Sequence, residues 1–491
     1  MNRRYLSLLA TGLSIALAGC SLAPEYKVPP VSIPASFKEA GTWQKAAPAD
    51  AAPRGNWWSY FGDQTLNELQ QRIDKSNLDL AIAVARYDAA RAVAAQANAG
   101  LFPEIDAIGG VTRNRQAAGR PLRGSNQPDV YDNYGLGLGL GYEVDLWGRV
   151  RNQVNAGEAL VKASSADLES VRLGLQAELA NNYFRLRGLD AVAQLLADTL
   201  EAYSKQLELT NNRHREGIVS GLDVSRAQTQ LEEVRAEVYD NQAQRALLEH
   251  AIAYLVGEPA SNFAIAPAVL RISLPDIPAA MPSTILQRRP DVAAAERRVA
   301  AANAEIGVAR AAFFPSITLG LSGGYQNVVS AGLLTAPNVF WSIGPQALMS
   351  IFDAGRRDAL VASAQAATDE AAAKYRSTVL QAFKEVEDNL ALLHHLRQQK
   401  VAEAAAVAAA DHTFQLATNR YREGAVNYIE VVDAEAAKLR TERTALDIDT
   451  RGLLAAVGLI KALGGGWQGI EPAATVVSTG EKESSGDHSS R

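Results

Sequence analysis

The chain predicts a mixed fold, a membrane β-barrel joined to an α-helical barrel and built from a duplicated helix-strand-strand-helix unit. Three observations predict it. Asp79 to Phe102 (DLAIAVARYDAARAVAAQANAGLF) aligns with Asp291 to Phe314 (DVAAAERRVAAANAEIGVARAAFF), and RHREG at Arg213 to Gly217 aligns with RYREG at Arg420 to Gly424. A repeat of roughly 210 residues is far longer than a solenoid or propeller unit, so half a chain is used twice. Each half holds very long Ala-rich stretches of helical period and two short stretches that alternate with period two.

The N-terminus comes first. Arg3 and Arg4, the apolar stretch Leu6 to Leu17 and the small residues after it read as a signal peptide over 1–19, too short to span a membrane as a helix. Leu17, Ala18, Gly19 and Cys20 resemble a bacterial lipoprotein signal, in which the cysteine is lipidated and begins the mature chain. Cys20 is the only cysteine, so an internal disulfide is impossible. Ser21, in place of an aspartate, resembles lipoproteins sorted to the outer membrane. Residues 20–62, rich in proline from Pro24 to Pro53, should form an extended arm lying on the rest of the protein.

The first repeat occupies 63–256. Helical spacing runs from Leu66 to about Gly100, and Pro103 ends it. Strands follow at about 103–113 and 134–146; in the second, Leu136, Leu138, Leu140, Tyr142 and Val144 alternate with Gly135, Gly137, Gly139, Gly141 and Glu143. A strand of about ten residues suits a tilted bilayer crossing. The basic loop between them carries Arg113, Arg115, Arg120 and Arg123, which could reach lipid phosphates or simply be solvated. Helix then runs from Val150 to about Asn212, turns at RHREG and returns from about Leu222 to Val256. A linker spans 257–282. The second repeat, 283–463, has strands at about 316–326 and 339–352, helix from Arg357 to about Asn419 and a return helix from about Ile429. Pro345 calls for a bulge or an edge position. The polar tail 464–491 should be disordered.

No stretch of the mature chain has the ~20 apolar residues of a transmembrane helix, which leaves a closed barrel as the way across a bilayer. Four strands cannot close, so copies must pool them: a dimer gives a barrel filled by side chains, a trimer one wide enough for water. A soluble coiled-coil protein with an ordinary sheet is the plain alternative. The net charge of -6 and the lack of a basic stripe with aromatics exclude a nucleic-acid partner.

NWWSYFGDQTLNELQQRIDKSNLDLAIAVARYDAARA (Asn56 to Ala92), YEVDLWGRVR (Tyr142 to Arg151), RRPDVAAAE (Arg288 to Glu296) and REGAVNYIEVVDAE (Arg422 to Glu435) resemble the TolC-like outer-membrane efflux channels, best the lipoprotein branch of OprM or NodT type. The resemblance implies a homotrimer in which four strands per chain complete a twelve-stranded barrel in the outer membrane of a Gram-negative bacterium, continued by a helical barrel through the periplasm. It implies a passive exit duct of a tripartite efflux pump, exporting small molecules such as drugs. The partners would be outer-membrane lipid, a periplasmic adaptor and an inner-membrane pump of the resistance-nodulation-division type. A protein-secretion channel served by an ABC exporter, or a structural envelope lipoprotein, are the alternatives.

By the same resemblance, Asp433 and Glu430 match the acidic ring of the closed pore and Ile429 its apolar constriction. Threefold symmetry would gather three Asp433 carboxylates, raise their pKa and attract cations. Tyr421 and Asp223 match the lock between neighbouring coils, with Arg422 beside them. One departure stands out: the pattern's arginine three residues after the aspartate is Ala436 here, so Arg420, Arg213 or Arg215 would have to substitute. The tips around Arg213, Gly217, Arg420 and Gly424 match the surface that adaptors grip. Catalytic, metal and cofactor sites are not expected: a P-loop is absent, and His394 and His395 are adjacent and lack the i, i+4 spacing of a helical metal pair.

Overall fold

The computed structural model describes residues 21–34, 36–40, 56–117, 128–269 and 289–465. Cys20 and the signal segment, Arg120 and Arg123, the second half of the linker and the tail beyond residue 465 lie outside the described residues.

The duplication is visible in the element lengths. Helices α2 (Leu78–Ala99) and α5 (Pro290–Ala311) each have 22 residues, and strands β1 (Glu104–Arg115) and β3 (Ser316–Asn327) each have 12. Helices α3 (Arg149–Arg215) and α6 (Arg356–Arg422) each have 67, and the return helices α4 (Gly221–Leu255) and α7 (Tyr428–Ala462) each have 35. At 1.5 Å per residue, α3 and α6 are each about 100 Å long. They pair with α4 and α7 as two long antiparallel hairpins. None of the described helices is long and apolar enough to cross a membrane.

Three boundaries differ from the sequence expectation. The helical run from Leu66 to Gly100 is broken at Asn77, which separates α1 (Gln64–Ser76) from α2. Asn77 is buried with extended backbone; its side chain caps Leu80 N at 2.8 Å and donates to Leu255 O at 2.7 Å, tying the break to the end of α4. The second strands of each repeat also end early. β2 is Val130–Glu143 because the Asp145 carboxylate turns away to accept Arg151 N at 2.9 Å. β4 is Val339–Leu348 because Asp353 accepts from Gly355 N and Arg357 Nε, which starts α6; Met349 and Ile351 therefore lie beyond the strand.

The sheet is a single antiparallel layer in the order β1-β2-β3-β4. Its register extends the alternation seen in the sequence across all four strands. Ile105, Ala107 and Val111 lie opposite Leu140, Leu138 and Tyr134; Leu140 lies opposite Leu321, and Leu321 opposite Ile343. One face is thus apolar, while the other carries Asp106, Thr112, Thr318, Ser322, Ser342, Gln346 and several glycines. Both faces are open, with Trp341 73% exposed on the apolar face and Ile108 57% exposed on the other. Val144 N donates to Ile317 O, so by the antiparallel alternation Pro345, opposite Leu319, directs its nitrogen away from β3. Pro345 needs no bulge because it sits on the open edge.

The core lies at mid-height, where the first turns of the repeats wrap the long helices. Trp57, Phe61, Leu66 and Ile73 pack on Tyr183, Phe184, Leu255, Val379 and Leu390. The arm lies across both repeats: Ser21 Oγ donates to Asn152 on α3, Asn303 on α5 donates to Pro24 O, and Glu387 on α6 accepts Lys38 N and Glu39 N. The start of the linker is pinned as well, through Arg245 to Ile265 O, Arg187 to Ala266 O and Ala268 N to Asp190.

Candidate functional site

Far from the sheet, the two hairpins turn at equivalent tips. Ile218 N donates to Arg213 O and Gly217 N to His214 O; Ala425 N donates to Arg420 O and Gly424 N to Tyr421 O. This closes each helix with a left-handed residue, Gly217 at φ 75 and Gly424 at φ 76, a conformation that a Cβ disfavours. The next helices start differently. Ser220 caps α4 in a reciprocal box with Asp223, whereas Asn427 makes no side-chain cap.

A small apolar cluster joins the tips. Tyr421 at the end of α6, Tyr428, Val431 and Ala434 on α7 and Ala227 on α4 are buried together. The Tyr421 and Tyr428 rings are 5.5 Å apart. Arg213, from the end of α3, lies over Tyr421 with its guanidinium carbon 4.8 Å from the ring centroid. Tyr428 also donates to Gln230 on α4 at 3.4 Å. Burial pushes the Tyr421 hydroxyl up, opposed by the nearby Arg213 charge.

The residues singled out in the sequence fall into two groups. Tyr421, Arg213, Gly424 and Gly217 meet at or beside the cluster, while Asp433 and Glu430 are exposed on the first turns of α7 and Ile429 is half-buried. Ile429 and Asp433, four apart, share a helix face. Arg422 and Arg420 are exposed. Within one chain Asp223 bonds to Ser220 and stands 3.9 Å from Arg226, and the structure does not bring it into a hydrogen bond with Tyr421.

Two features were missed in the sequence. Glu435 turns into the tip among groups that include Tyr203 and Tyr428, and burial pushes its carboxyl up to about 7 despite the opposing charge of Lys438. Arg443 on α7 reaches Glu237 on α4 at 2.6 Å. Neither is marked by local sequence, since each depends on which faces of separate hairpins meet. Among the described residues, no cluster of His, Cys, Asp and Glu could hold a metal ion.

The family model described as outer membrane efflux protein matches residues 69–258 and 281–465, covering the strands and the tips of both repeats. The chain is 33% identical over 470 residues to the probable efflux pump outer membrane protein TtgC of Pseudomonas putida, covering 95% of this chain and 96% of that protein. It is also 33% identical to the outer membrane protein OprJ of Pseudomonas aeruginosa, over 95% of this chain and 97% of that one. The solved structure of the outer-membrane channel OprN superposes with a TM-score of 0.84 at 30% identity, covering 91% of this chain and all of that one. The two repeats, the single-layer sheet and the paired tips thus place this chain in the outer membrane efflux protein family.

Proposed function

We propose that three copies form a passive exit duct of a tripartite efflux pump for small toxic molecules. The observation that carries this reading is the sheet: one apolar face, one polar face, and two open edges in each copy. Exposed sheet edges must be covered or paired, and in a bilayer only closure satisfies every backbone group. Twelve strands would set the apolar face against lipid and the polar face around a water-filled lumen. The hairpins would continue that lumen into the periplasm. This duct carries out no catalytic step, so the driving energy comes from an inner-membrane pump of the resistance-nodulation-division type, and an adaptor docks on the tips around Arg213, Gly217, Arg420 and Gly424.

In this reading the tips are the gate. Ile429, Glu430 and Asp433 of three copies would line the narrowest point, and Tyr421, with Arg422 and Asp223 of neighbouring coils, would help to hold it shut. The test is single-channel conductance in planar bilayers. Native protein should give small, cation-preferring pores, and Asp433→Ala combined with Tyr421→Phe should conduct several-fold more. Absence of pores in both proteins would overturn the duct.

We also assign Cys20 as a lipid anchor. In support of this reading, Ser21 is held on Asn152, three residues into α3 and close to the sheet end of the helices. Trp147, stacked on Phe314 at 4.7 Å, would mark the membrane boundary with aromatic rings. Palmitate labelling should be lost in Cys20→Ala; retained label would exclude this anchor.

A further inference from the structure

Beyond the aromatic tip the hairpins separate, leaving a groove of 440 Å³ between α4 and α7 with Tyr203 and Leu439 among its lining residues. Gln230, Glu233 and Glu237 border it on α4, and Ala436, Arg440 and Arg443 on α7. Ala436 offers no charge to the acidic wall opposite. The cations of α7 that line the groove, Arg440 and Arg443, stand one and two turns further along, and the more distant one completes a contact: Arg443 Nη1 donates to Glu237 Oε2 at 2.6 Å. The two hairpins are therefore fastened on either side of a gap. Tyr428, Tyr421 and Ala227 join them at the tip, and the ion pair joins them on the far side of the groove.

We infer that Arg443 and Glu237 are positioning residues for closure, a second lock that holds α7 against α4 and works independently of the residues lining the pore. This rests on the gated-duct reading. Opening the tip requires the α6–α7 hairpin to move relative to the α3–α4 hairpin, and the pair spans that boundary. Both side chains are about two-fifths exposed, at 44% and 40%. One such pair shifts an equilibrium by roughly two- to threefold. If three copies open together, the factors multiply to on the order of tenfold.

The experiment measures open probability of the full-length lipoprotein in planar bilayers at low and high salt. Arg443→Glu and Glu237→Arg should each raise it about tenfold at low salt, and the exchanged pair, both changes together, should restore closure. High salt should shrink the difference between the native chain and the single variants. A merely structural role would not be rescued by exchange. If the single variants behave like the native protein, or the exchanged pair stays as open as either one, the second lock is refuted. Asp433→Ala with Tyr421→Phe, measured alongside, separates the outcomes: pores there with no effect at Arg443 sink only this inference, and no pores anywhere sink the duct itself.

Discussion

Gly324→Val should abolish assembly of the protein while leaving its helical content in place. The seam between β2 and β3 joins the two repeats, and at Gly137 and Gly324, which face each other in the register, the backbones approach closely. A Cβ on Gly324 would stand 2.2 Å from Leu136 O and 2.4 Å from Gly137 Cα; one on Gly137 would stand 2.7 Å from Gly323 O. These are backbone atoms and cannot swing aside. Overpacking costs about 1–3 kcal/mol where side chains can adjust, and here relief requires separating the strands. A sheet with both faces open has no second layer to compensate for that loss. The expected result is monomer or aggregate in gel filtration and no bilayer conductance, with far-ultraviolet circular dichroism close to native. Gly135→Ala on the facing strand β2 is the control, because a Cβ there meets nothing within 4 Å. Wild-type assembly of Gly324→Val would show that the seam tolerates side chains and that these glycines are not required by close approach.

The contrast between Gly135 and Gly137 shows what the sequence makes legible. Both appear as the same residue in the same alternating run, and the run correctly identifies a two-faced strand. Which glycine is squeezed depends on the strand across the seam, about 190 residues away, and no local pattern encodes that. The long helices were readable because their Ala-rich period continues unbroken to RxREG, and the observed ends, Arg215 and Arg422, fall inside those motifs. Asn77 was not readable as a break, since its neighbours keep helical period and the deciding bond is to Leu255. At the tips, where we propose the gate, the resemblance supplied Tyr421 and Asp433. The partner that the structure gives to the Tyr421 ring is Arg213, from the opposite hairpin.

Glu435 should make closure of the tip depend on pH. In the stretch Glu430, Asp433, Glu435 all three acids look alike, yet only the third is turned inward, where burial pushes its carboxyl up to about 7 from an ordinary 4.5. Tyr203 on α3 and Tyr428 and Lys438 on α7 lie close enough to interact with its charge, and of these Lys438 alone is a cation that offsets it. Moving the hairpins apart admits water and returns the carboxyl to its ordinary value. The closed tip then holds a proton that the open tip lacks throughout the interval between the two values. Closure is therefore fully supported at the acid end, weakens as pH rises through that interval, and has lost this support above about 7. After discounting for partial exposure, the difference is on the order of 1–2 kcal/mol per copy, roughly tenfold in opening. Open probability measured with the pH varied on the tip side should climb from about pH 5 to about pH 7 and then level. Glu435→Gln, which stays neutral, should remain closed across the range and lose the slope. A variant that keeps the native slope would assign the titration to another group and refute this role for Glu435.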